Sequence, residues 1–449
     1  MILLVAFILI VIAFAAMRSS KSVFNPITMM LVIWAVILPF SDSNLYNLKP
    51  TSNISYVIIP IGLLAFTLGA AAGMRSRWKI RQFRRLNESE GFLEVNYTFL
   101  YIIAAICLAV LLYQSFQAAA LMRRGYTFAA IRKLLFSDEE NEMRATSGIV
   151  ILQKFIVTPG VNLLTTLIPV ELFLVKKDSR RNGLLIMSLI SLVLWAFSSG
   201  GRTIIAALAL YFVTCLWLKN RESERRTIRD GWIRERSLLA AVVVAALVIA
   251  VYTITIGRKG ANVDLVRQAF IYFGAPPKFL DYNIDKLDNQ FGGFRAYGMS
   301  SFYGFLYPIL FAVRFLTGSY PEAFTQTHEL SVTMLQTVVS MGGGIRINAF
   351  ATMFYQPYID GGIPGVILVL LFFGFISGKA FHSAFKKRNL LGLLLFLSFE
   401  YQILFSMIRF WYTQVGSAIW VLFIFFAVRA AKKQTSEVSE NSEAVRGVI

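Results

Sequence analysis

The chain has 449 residues, of which 57% are hydrophobic and only 15% are charged. Soluble domains are roughly 45–50% apolar and need much more polar surface, so this composition excludes an ordinary soluble enzyme. Lysine and arginine outnumber aspartate and glutamate by 44 to 25, which gives a formal charge of +19. Because the basic residues lie between apolar runs, they indicate membrane orientation rather than nucleic-acid binding.

The apolar residues form about eleven runs, each close to the length of about 17–25 residues that crosses a bilayer as a helix. The runs lie near residues 2 to 17, 26 to 41, 55 to 73, 97 to 121, 149 to 175, 183 to 199, 203 to 218, 238 to 257, 362 to 380, 389 to 408 and 410 to 428. The sequence therefore predicts an all-α polytopic membrane protein. Its predicted parts are eight spans in 1–257, one large external loop in 258–361, three spans in 362–430 and a disordered cytoplasmic tail in 431–449.

Clusters of lysine and arginine predict the orientation of these spans, because such connectors stay on the cytoplasmic side during insertion. The richest clusters follow the third and seventh runs, at residues 75–85 and 219–236. Strict alternation then also places the remaining basic connectors inside. The pattern predicts a multi-pass protein of the cytoplasmic membrane, with an external N-terminus and a cytoplasmic C-terminus.

The long segment 258–361 mixes glycine, aromatic residues and charges of both signs. Within it, residues 302–318 are apolar but include Arg314, and an arginine at a bilayer centre costs at least about 2.5–3.5 kcal/mol. We therefore expect an interfacial or re-entrant helix there, with a pair of extra crossings as the alternative. Residues 265–273 are amphipathic and predict a second helix on the membrane surface.

Two glycine-rich turns next to an arginine indicate anion binding. One turn spans 198–203 and includes Arg202, and in the other Gly342–Gly344 precede Arg346. Glycine lets backbone N–H groups approach an anion, and a guanidinium binds phosphate through two hydrogen bonds. A purely structural interpretation is also open: a tight hairpin whose arginine reaches lipid phosphate, and a flexible loop before a helix that Asp360 would cap.

The sequence resembles the Wzy-type oligosaccharide repeat-unit polymerases of O-antigen, capsule and exopolysaccharide pathways. The resemblance rests on the Ser-Ser-Gly-Gly-Arg-Thr turn at 198–203, on Asn348 to Phe350 followed by an aromatic run, and on the Tyr-Ile-Asp-Gly-Gly-Ile-Pro-Gly start of a late span at 358–365. The multi-span topology with one large outer loop is similar across nearly the whole chain.

The resemblance implies an inverting glycosyltransferase on the outer face of the bacterial cytoplasmic membrane. It would transfer the growing chain from undecaprenyl diphosphate to a single lipid-linked repeat unit, without a cofactor or a metal. Its partners would be that lipid-linked oligosaccharide, membrane lipid, and a chain-length regulator and flippase of the same pathway, with no nucleic acid. Arginines and lysines at the outer rim would stabilise the charge that develops on the leaving diphosphate. The candidates are Arg202, Arg258, Lys259, Arg267, Arg346 and Arg409.

A general base is also expected, because the accepting sugar hydroxyl must lose its proton. His328 with Glu329 is the first candidate pair, since histidine titrates nearest to neutral pH. Asp360 is the second candidate. Three aspartates of the outer segment fit either a cation site or a solvated helix face, and their spacing matches no calcium loop. They are Asp281, Asp285 and Asp288.

The tenth run contains an ionisable residue, Glu400, at mid-span. A carboxyl group at that depth indicates either a functional residue or a structural residue that is neutral or paired with a cation. Arg409, Arg202 and Lys154 are the candidate cations for such a pair.

Two other functions fit the same sequence. A ligase-type enzyme would move a finished glycan from the same lipid carrier to a different acceptor. A flippase would carry the lipid-linked oligosaccharide across the membrane without chemistry, and it predicts charges along a central pathway through many spans. Here the candidate substrate-binding cations lie at the predicted outer rim and in residues 258–361, which favours a transferase.

Overall fold

The computed structural model describes residues 2–76, 94–127, 130–131, 147–175, 179–199, 203–223 and 264–429. These residues are mostly helical, and their only sheets are two short pairs of strands. Among them, seven helices are long and apolar enough to cross a membrane, and four shorter helices are also apolar. The prediction of a helical protein with multiple apolar spans is confirmed at this level.

The helices before the longest gap follow the predicted apolar runs. They are α1 Ile2–Ser20, α2 Pro26–Asp42, α3 Asn53–Arg75, α4 Tyr97–Arg123, α5 Ser147–Leu152, α6 Thr158–Phe173, α7 Ser179–Ser199 and α8 Thr203–Ser223. A π-helical turn, Gln153–Val157, joins α5 to α6. The predicted run at 238–257 and the predicted tail at 431–449 lie outside the described residues.

The later helices include two in the segments for which the sequence predicts surface helices. They are α9 Leu265–Gln290, α10 Tyr303–Thr317, α11 Glu322–His328, α12 Met334–Gln336, α13 Tyr355–Phe385, α14 Leu390–Leu404 and α15 Val415–Ala427. Strand β1 (Glu94–Val95) pairs antiparallel with β4 (Val428–Arg429), and β2 (Val339–Ser340) pairs antiparallel with β3 (Arg346–Ile347). A π-helical turn, Glu329–Thr333, joins α11 to α12.

The most extensive helix contact joins α3 to α13, which run parallel. Small residues four positions apart on both helices let the two backbones touch. A Cβ atom added to Gly69 would lie 2.0 Å from the carbonyl oxygen of Leu371, and one added to Gly374 would lie 2.2 Å from that of Phe66. Gly73 and Gly378 make equivalent contacts one turn further along. We call this contact the glycine seam.

The connectors 43–52, 291–354 and 405–414, of which the second includes α10 to α12, meet at one end of the helix bundle. There the backbone N–H of Lys49 donates to the carbonyl of Met341 at 2.8 Å, and that of Met353 donates to the carbonyl of Ser406 at 2.7 Å. Helix α9 packs against α2 and α3 at this same end. We call it the polar end.

The opposite end gathers the C-terminal ends of α6, α8 and α13 and the N-terminal end of α4. Contacts there join Trp217 to Phe385, Lys219 to Phe173, Tyr97 to Glu171 and Asn96 to Ala427. Helix α8 therefore ends at the end of the bundle opposite to the one where α9 lies.

Candidate functional site

Helix α13 begins at Tyr355, earlier than the predicted run at 362–380, and it is broken near its start. Gly361 has φ −168° and ψ 28°, and Gly362 has φ 61° and ψ −144°. The second of these conformations is left-handed and essentially restricted to glycine. The break separates a short half-helix, 355–360, from the long half-helix that follows it. The Asp-Gly-Gly sequence thus forms a discontinuity inside a helix instead of the start of one.

Asp360 ends the short half-helix, and its carboxylate positions the turn at 298–301. Oδ1 accepts the backbone N–H of Ser300 and Oδ2 accepts that of Ser301, both at 2.8 Å, while the side chain is only 4% exposed. The expected capping role is not observed, because α13 starts earlier and its N-cap residue is Phe354. Both carboxylate oxygens are already used, which favours a positioning role for Asp360 over that of a base.

His328 is half-buried, and its ring lies against an aromatic cluster. Its Nδ1 is 2.7 Å from the hydroxyl oxygen of Tyr303. The buried Tyr303 ring is also stacked on Phe324, with ring centroids 4.8 Å apart. Glu329, the second member of the predicted pair, is exposed. The tyrosine contact fixes the orientation of the imidazole.

The structure connects the His328 region to the Asp360 region. Ser331 lies on the π-helical turn that follows His328, and its hydroxyl oxygen is 2.6 Å from that of Ser300. The backbone N–H of Ser300 is one of the two groups bound by Asp360. Two residues that the sequence singles out for acid–base chemistry therefore belong to one hydrogen-bonded unit at the polar end.

Arg267 contacts the hairpin formed by β2 and β3, and Arg346 lies on β3. Nη2 of Arg267 donates to the carbonyl of Gly343 at 3.1 Å, and the exposed Arg346 pairs across the hairpin with Ser340. A Cβ atom on Gly343 would lie 1.9 Å from the carbonyl oxygen of Tyr46. The glycines therefore permit close approach of a neighbouring backbone, where the sequence alone suggests an anion.

Arg409 lies on the connector between α14 and α15, also at the polar end. It forms a β-bridge with Thr352, and its guanidinium carbon is 5.5 Å from the centroid of the Trp411 ring. The other predicted rim cations lie outside the described residues. They are Arg202, Arg258 and Lys259.

A cleft of about 470 Å³ opens at the polar end between α9, the connector 43–52 and β2. Ligand pockets typically measure about 300–1,000 Å³, so the cleft is large enough for a small molecule or a sugar unit. Residues spaced three or four apart on one face of α9 line its wall. They are Lys278, Asp281, Tyr282, Asp285, Asp288 and Asn289. We call it the α9 cleft.

The α9 aspartates make protein contacts instead of forming a cation site. Asp281 accepts the backbone N–H of Ser52 at 2.9 Å and the hydroxyl of Ser55 at 3.2 Å, and so holds the first turn of α3. The exposed Asp285 accepts from Asn289 at 2.7 Å. Within the described ranges, no group of three acidic, histidine or cysteine side chains is suited to a metal ion.

Lys278 lines the α9 cleft and is only 3% exposed. Its Nζ donates to Oδ1 of Asn44. Burial lowers the pKa of the Lys278 ammonium from 10.5 to about 8, and the carboxylates of Asp42 and Asp281 oppose that shift. An ammonium has three N–H donors, and one described acceptor leaves donors for a ligand.

Arg295 is a candidate that the sequence patterns above do not single out. Its Nη2 is 3.8 Å from the position that a Cβ would take on Gly362, so the guanidinium lies at the break in α13. Nη2 also pairs with Oδ1 of Asp288 at 3.2 Å, and Oδ2 of Asp288 accepts the hydroxyl of Tyr358 at 2.8 Å. Asp288 thus belongs both to the α9 cleft and to the helix break.

A sequence signal for Arg295 exists in hindsight. The segment Gly292-Gly293-Phe294-Arg295 repeats the order of two glycines closely followed by arginine that also occurs at 200–202 and 343–346. Arg295 lies next to Gly362 because of a tertiary contact, in which the backbone N–H groups of 296 and 297 donate to the carbonyls of 359 and 360.

Glu400 is fully buried among α8 and α14. Its Oε1 accepts the hydroxyl of Thr214 at 2.7 Å, and its Oε2 has no hydrogen-bond partner among the described residues. Of the cations expected near it, Lys154 lies over the Tyr307 ring at 4.1 Å from the centroid. The bond to Thr214 gives Glu400 a structural contact within the apolar interior.

Comparisons with protein-family models, with curated proteins and with solved structures find no match to this chain. Its function has to be inferred from the residues and geometry described above.

Proposed function

We propose that this chain is an inverting glycosyltransferase that polymerises undecaprenyl-diphosphate-linked oligosaccharide repeat units on the outer face of the bacterial cytoplasmic membrane. The observation that most supports this is the adjacency, at one end of an apolar helix bundle, of a guanidinium beside a broken helix and a hydroxyl- and carboxylate-lined cleft. A substrate with a lipid tail, a diphosphate and a glycan needs an apolar, a cationic and a polar surface in that order.

The proposal includes eleven spans with the polar end outside. Those spans are α1 to α4, the joined α5 and α6, α7, α8, the run at 238–257, α13, α14 and α15. The opposite positions of the end of α8 and of α9 support one crossing at 238–257. The basic connectors at the other end of the bundle support a cytoplasmic C-terminus.

We place α9 and α10 at the outer membrane interface. Helix α10 has 15 residues, fewer than the roughly 20 that a span needs. Three apolar side chains near Arg314 are strongly exposed: Ile309, Phe315 and Leu316 at 62%, 86% and 83%. Such a helix fits the boundary between headgroups and acyl chains, where the arginine can reach phosphate.

The donor diphosphate would bind at the break in α13. A helix N-terminus offers unpaired backbone N–H groups and a partial positive charge, and Arg295 adds a guanidinium at the same place. The ion pair with Asp288 and the nearby Tyr358 ring keep that guanidinium in position. Arg267, Arg346 and Arg409 would extend the cationic rim.

The transfer step forms one bond and breaks another. A hydroxyl oxygen of the acceptor sugar attacks the anomeric carbon of the donor glycan, and the bond from that carbon to the diphosphate breaks, with the electron pair leaving on the diphosphate. The hydroxyl proton passes to His328, whose imidazole is oriented by Tyr303, and Asp360 positions the adjoining turn. Fixed cations at the break stabilise the leaving charge.

Purified protein in lipid nanodiscs, supplied with lipid-linked repeat units from the cell that makes it, should produce a ladder of longer glycans. We expect Arg295→Ala to reduce the initial rate by about 100-fold, because removing a fixed group that stabilises transition-state charge costs about 10²–10³ in rate. Arg124→Ala is the matched control, since Arg124 is exposed at the end of α4.

The outcomes separate the candidate functions. A wild-type protein that leaves the repeat units unextended overturns the polymerase proposal. Transfer to a different acceptor would identify a ligase, and movement of unextended repeat units across vesicle bilayers would identify a flippase. An Arg295→Ala protein as active as Arg124→Ala would remove the diphosphate site from the helix break.

A further inference from the structure

The α9 cleft combines hydrogen-bond donors, acceptors and one aromatic platform. Asp285 is exposed and makes one described contact, the bond from Asn289. Lys278 is buried and lines the cleft with donors to spare. Tyr282 is 38% exposed, and its ring stacks at 6.4 Å on the fully buried Phe279. The tyrosine ring therefore lies beside a buried phenylalanine, while its side chain borders the open cleft.

We propose that the α9 cleft binds a sugar unit of the lipid-linked glycan, with the sugar ring against Tyr282 and its hydroxyls on Asp285 and Lys278. This inference rests on the proposed function and assigns the glycan and the diphosphate to separate, adjoining sites. Asp288 joins the two, because it lines the cleft and pairs with Arg295 at the helix break.

The charges in the cleft favour a sugar over a diphosphate. Three aspartates line it against two lysines, Lys49 and Lys278, and Asp288 is itself paired with Arg295, so the cleft has no excess of positive charge to hold a dianionic group. A sugar hydroxyl both donates and accepts, and it can satisfy an ammonium and a carboxylate at once. The apolar face of a sugar ring packs on an exposed aromatic ring, which the partly exposed Tyr282 provides.

Two probes separate the two sites on the full-length protein in nanodiscs. The first is the oligosaccharide released by mild acid from the lipid-linked repeat units, and the second is polyprenyl diphosphate without sugar. Calorimetric titration should show Tyr282→Ala and Asp285→Ala each weakening oligosaccharide binding by about tenfold, as expected for the loss of one stacking or charged hydrogen-bonding contact. Both variants should bind polyprenyl diphosphate like the wild type.

Matched variants control for damage to the fold. Tyr282→Phe keeps the ring and should bind the oligosaccharide nearly as well as the wild type. Tyr126→Ala and Glu322→Ala remove an exposed tyrosine and an exposed carboxylate elsewhere, and should change neither affinity.

The alternatives are distinct. Oligosaccharide binding that survives both cleft substitutions overturns the sugar site, as does a wild type that binds polyprenyl diphosphate but no oligosaccharide. Loss of both ligands in the cleft variants also overturns it, because the two sites would then not be separate. In each of these cases the polymerisation assay still decides the proposed function by itself, and a wild type that binds neither probe and extends no glycan overturns both.

Discussion

The glycine seam and the α9 cleft share helix α3 but are packed in opposite ways. Ile54 near the start of α3 borders the cleft, whereas Gly69, about 22 Å further along the helix, touches the backbone of α13. Direct contact between the two backbones at the glycine seam leaves no space for a ligand. The polar end has both an open cleft and hydrogen-bond donors that the described residues do not use. Helix α3 thus belongs to a rigid backbone contact at one level and borders an open cleft at another.

The largest effect should come from breaking the seam. Gly374→Leu would drive a side chain into the carbonyl of Phe66, and since the obstacle is backbone, α3 and α13 must separate. Overpacking costs about 1–3 kcal/mol even where side chains can adjust, so here we expect loss of folded protein. Size-exclusion chromatography in detergent measures this loss. Leu368→Ala, at a 67% exposed position of α13, should elute normally. A monodisperse Gly374→Leu with wild-type Tm would show that the seam is not rigid.

An intermediate effect should come from Asp360, which lies between the two regions. Asp360→Ala leaves the backbone N–H groups of Ser300 and Ser301 without acceptors, at about 1–3 kcal/mol each. Asp360→Asn keeps one acceptor and should have an intermediate Tm, with activity following stability. An Asp360→Asn protein that is as stable as the wild type but inactive would instead assign a chemical role to this carboxylate.

The smallest effect should be the pH dependence from Lys278 in the cleft. Its pKa is lowered to about 8 by burial, so between pH 8 and 10.5 the unfolded chain binds more protons than the folded one. The free energy of unfolding should then rise with pH by up to about 1.4 kcal/mol per unit in that window. Lys278→Met should lose this contribution, as shown by Tm values at pH 7.5 and 9.5.

The control for this pH dependence is Lys387→Met, at an exposed position. That variant should keep the wild-type change in Tm between the two pH values. Equal changes in the wild type and in Lys278→Met would mean that water or counter-ions reach the buried ammonium freely.

The apolar runs predict helices such as α4 and α8 well, because apolar length alone determines whether a segment can be a spanning helix. The sequence misplaces the start of α13. Residues 355–360 are too polar and aromatic to extend an apolar run, yet they are helical, and Gln356 and Asp360 accept backbone N–H groups of distant segments. Local pattern contains no information about such distant partners.

The candidate site was only partly predictable for the same reason. The pattern of arginine next to glycine directs attention to the β2–β3 hairpin, but Gly343 lies against the backbone of Tyr46, which is far away in the sequence. From the sequence, Asp288 is expected to be a solvated residue on a helix surface. Its pairing with Arg295 and Tyr358 depends on how α9 packs against α13. Contacts between functional groups that are far apart in the sequence can be identified only from the packed structure.

The short pairing of β1 with β4 has a practical consequence. Val428 and Arg429 pair with Glu94 and Val95, just before α4, at the end of the bundle remote from the α9 cleft. The chain therefore continues from the far side of the molecule toward an affinity handle placed downstream of these residues. Immobilising the protein on a sensor chip by that handle would leave the surface with the α9 cleft exposed to the flowing sample.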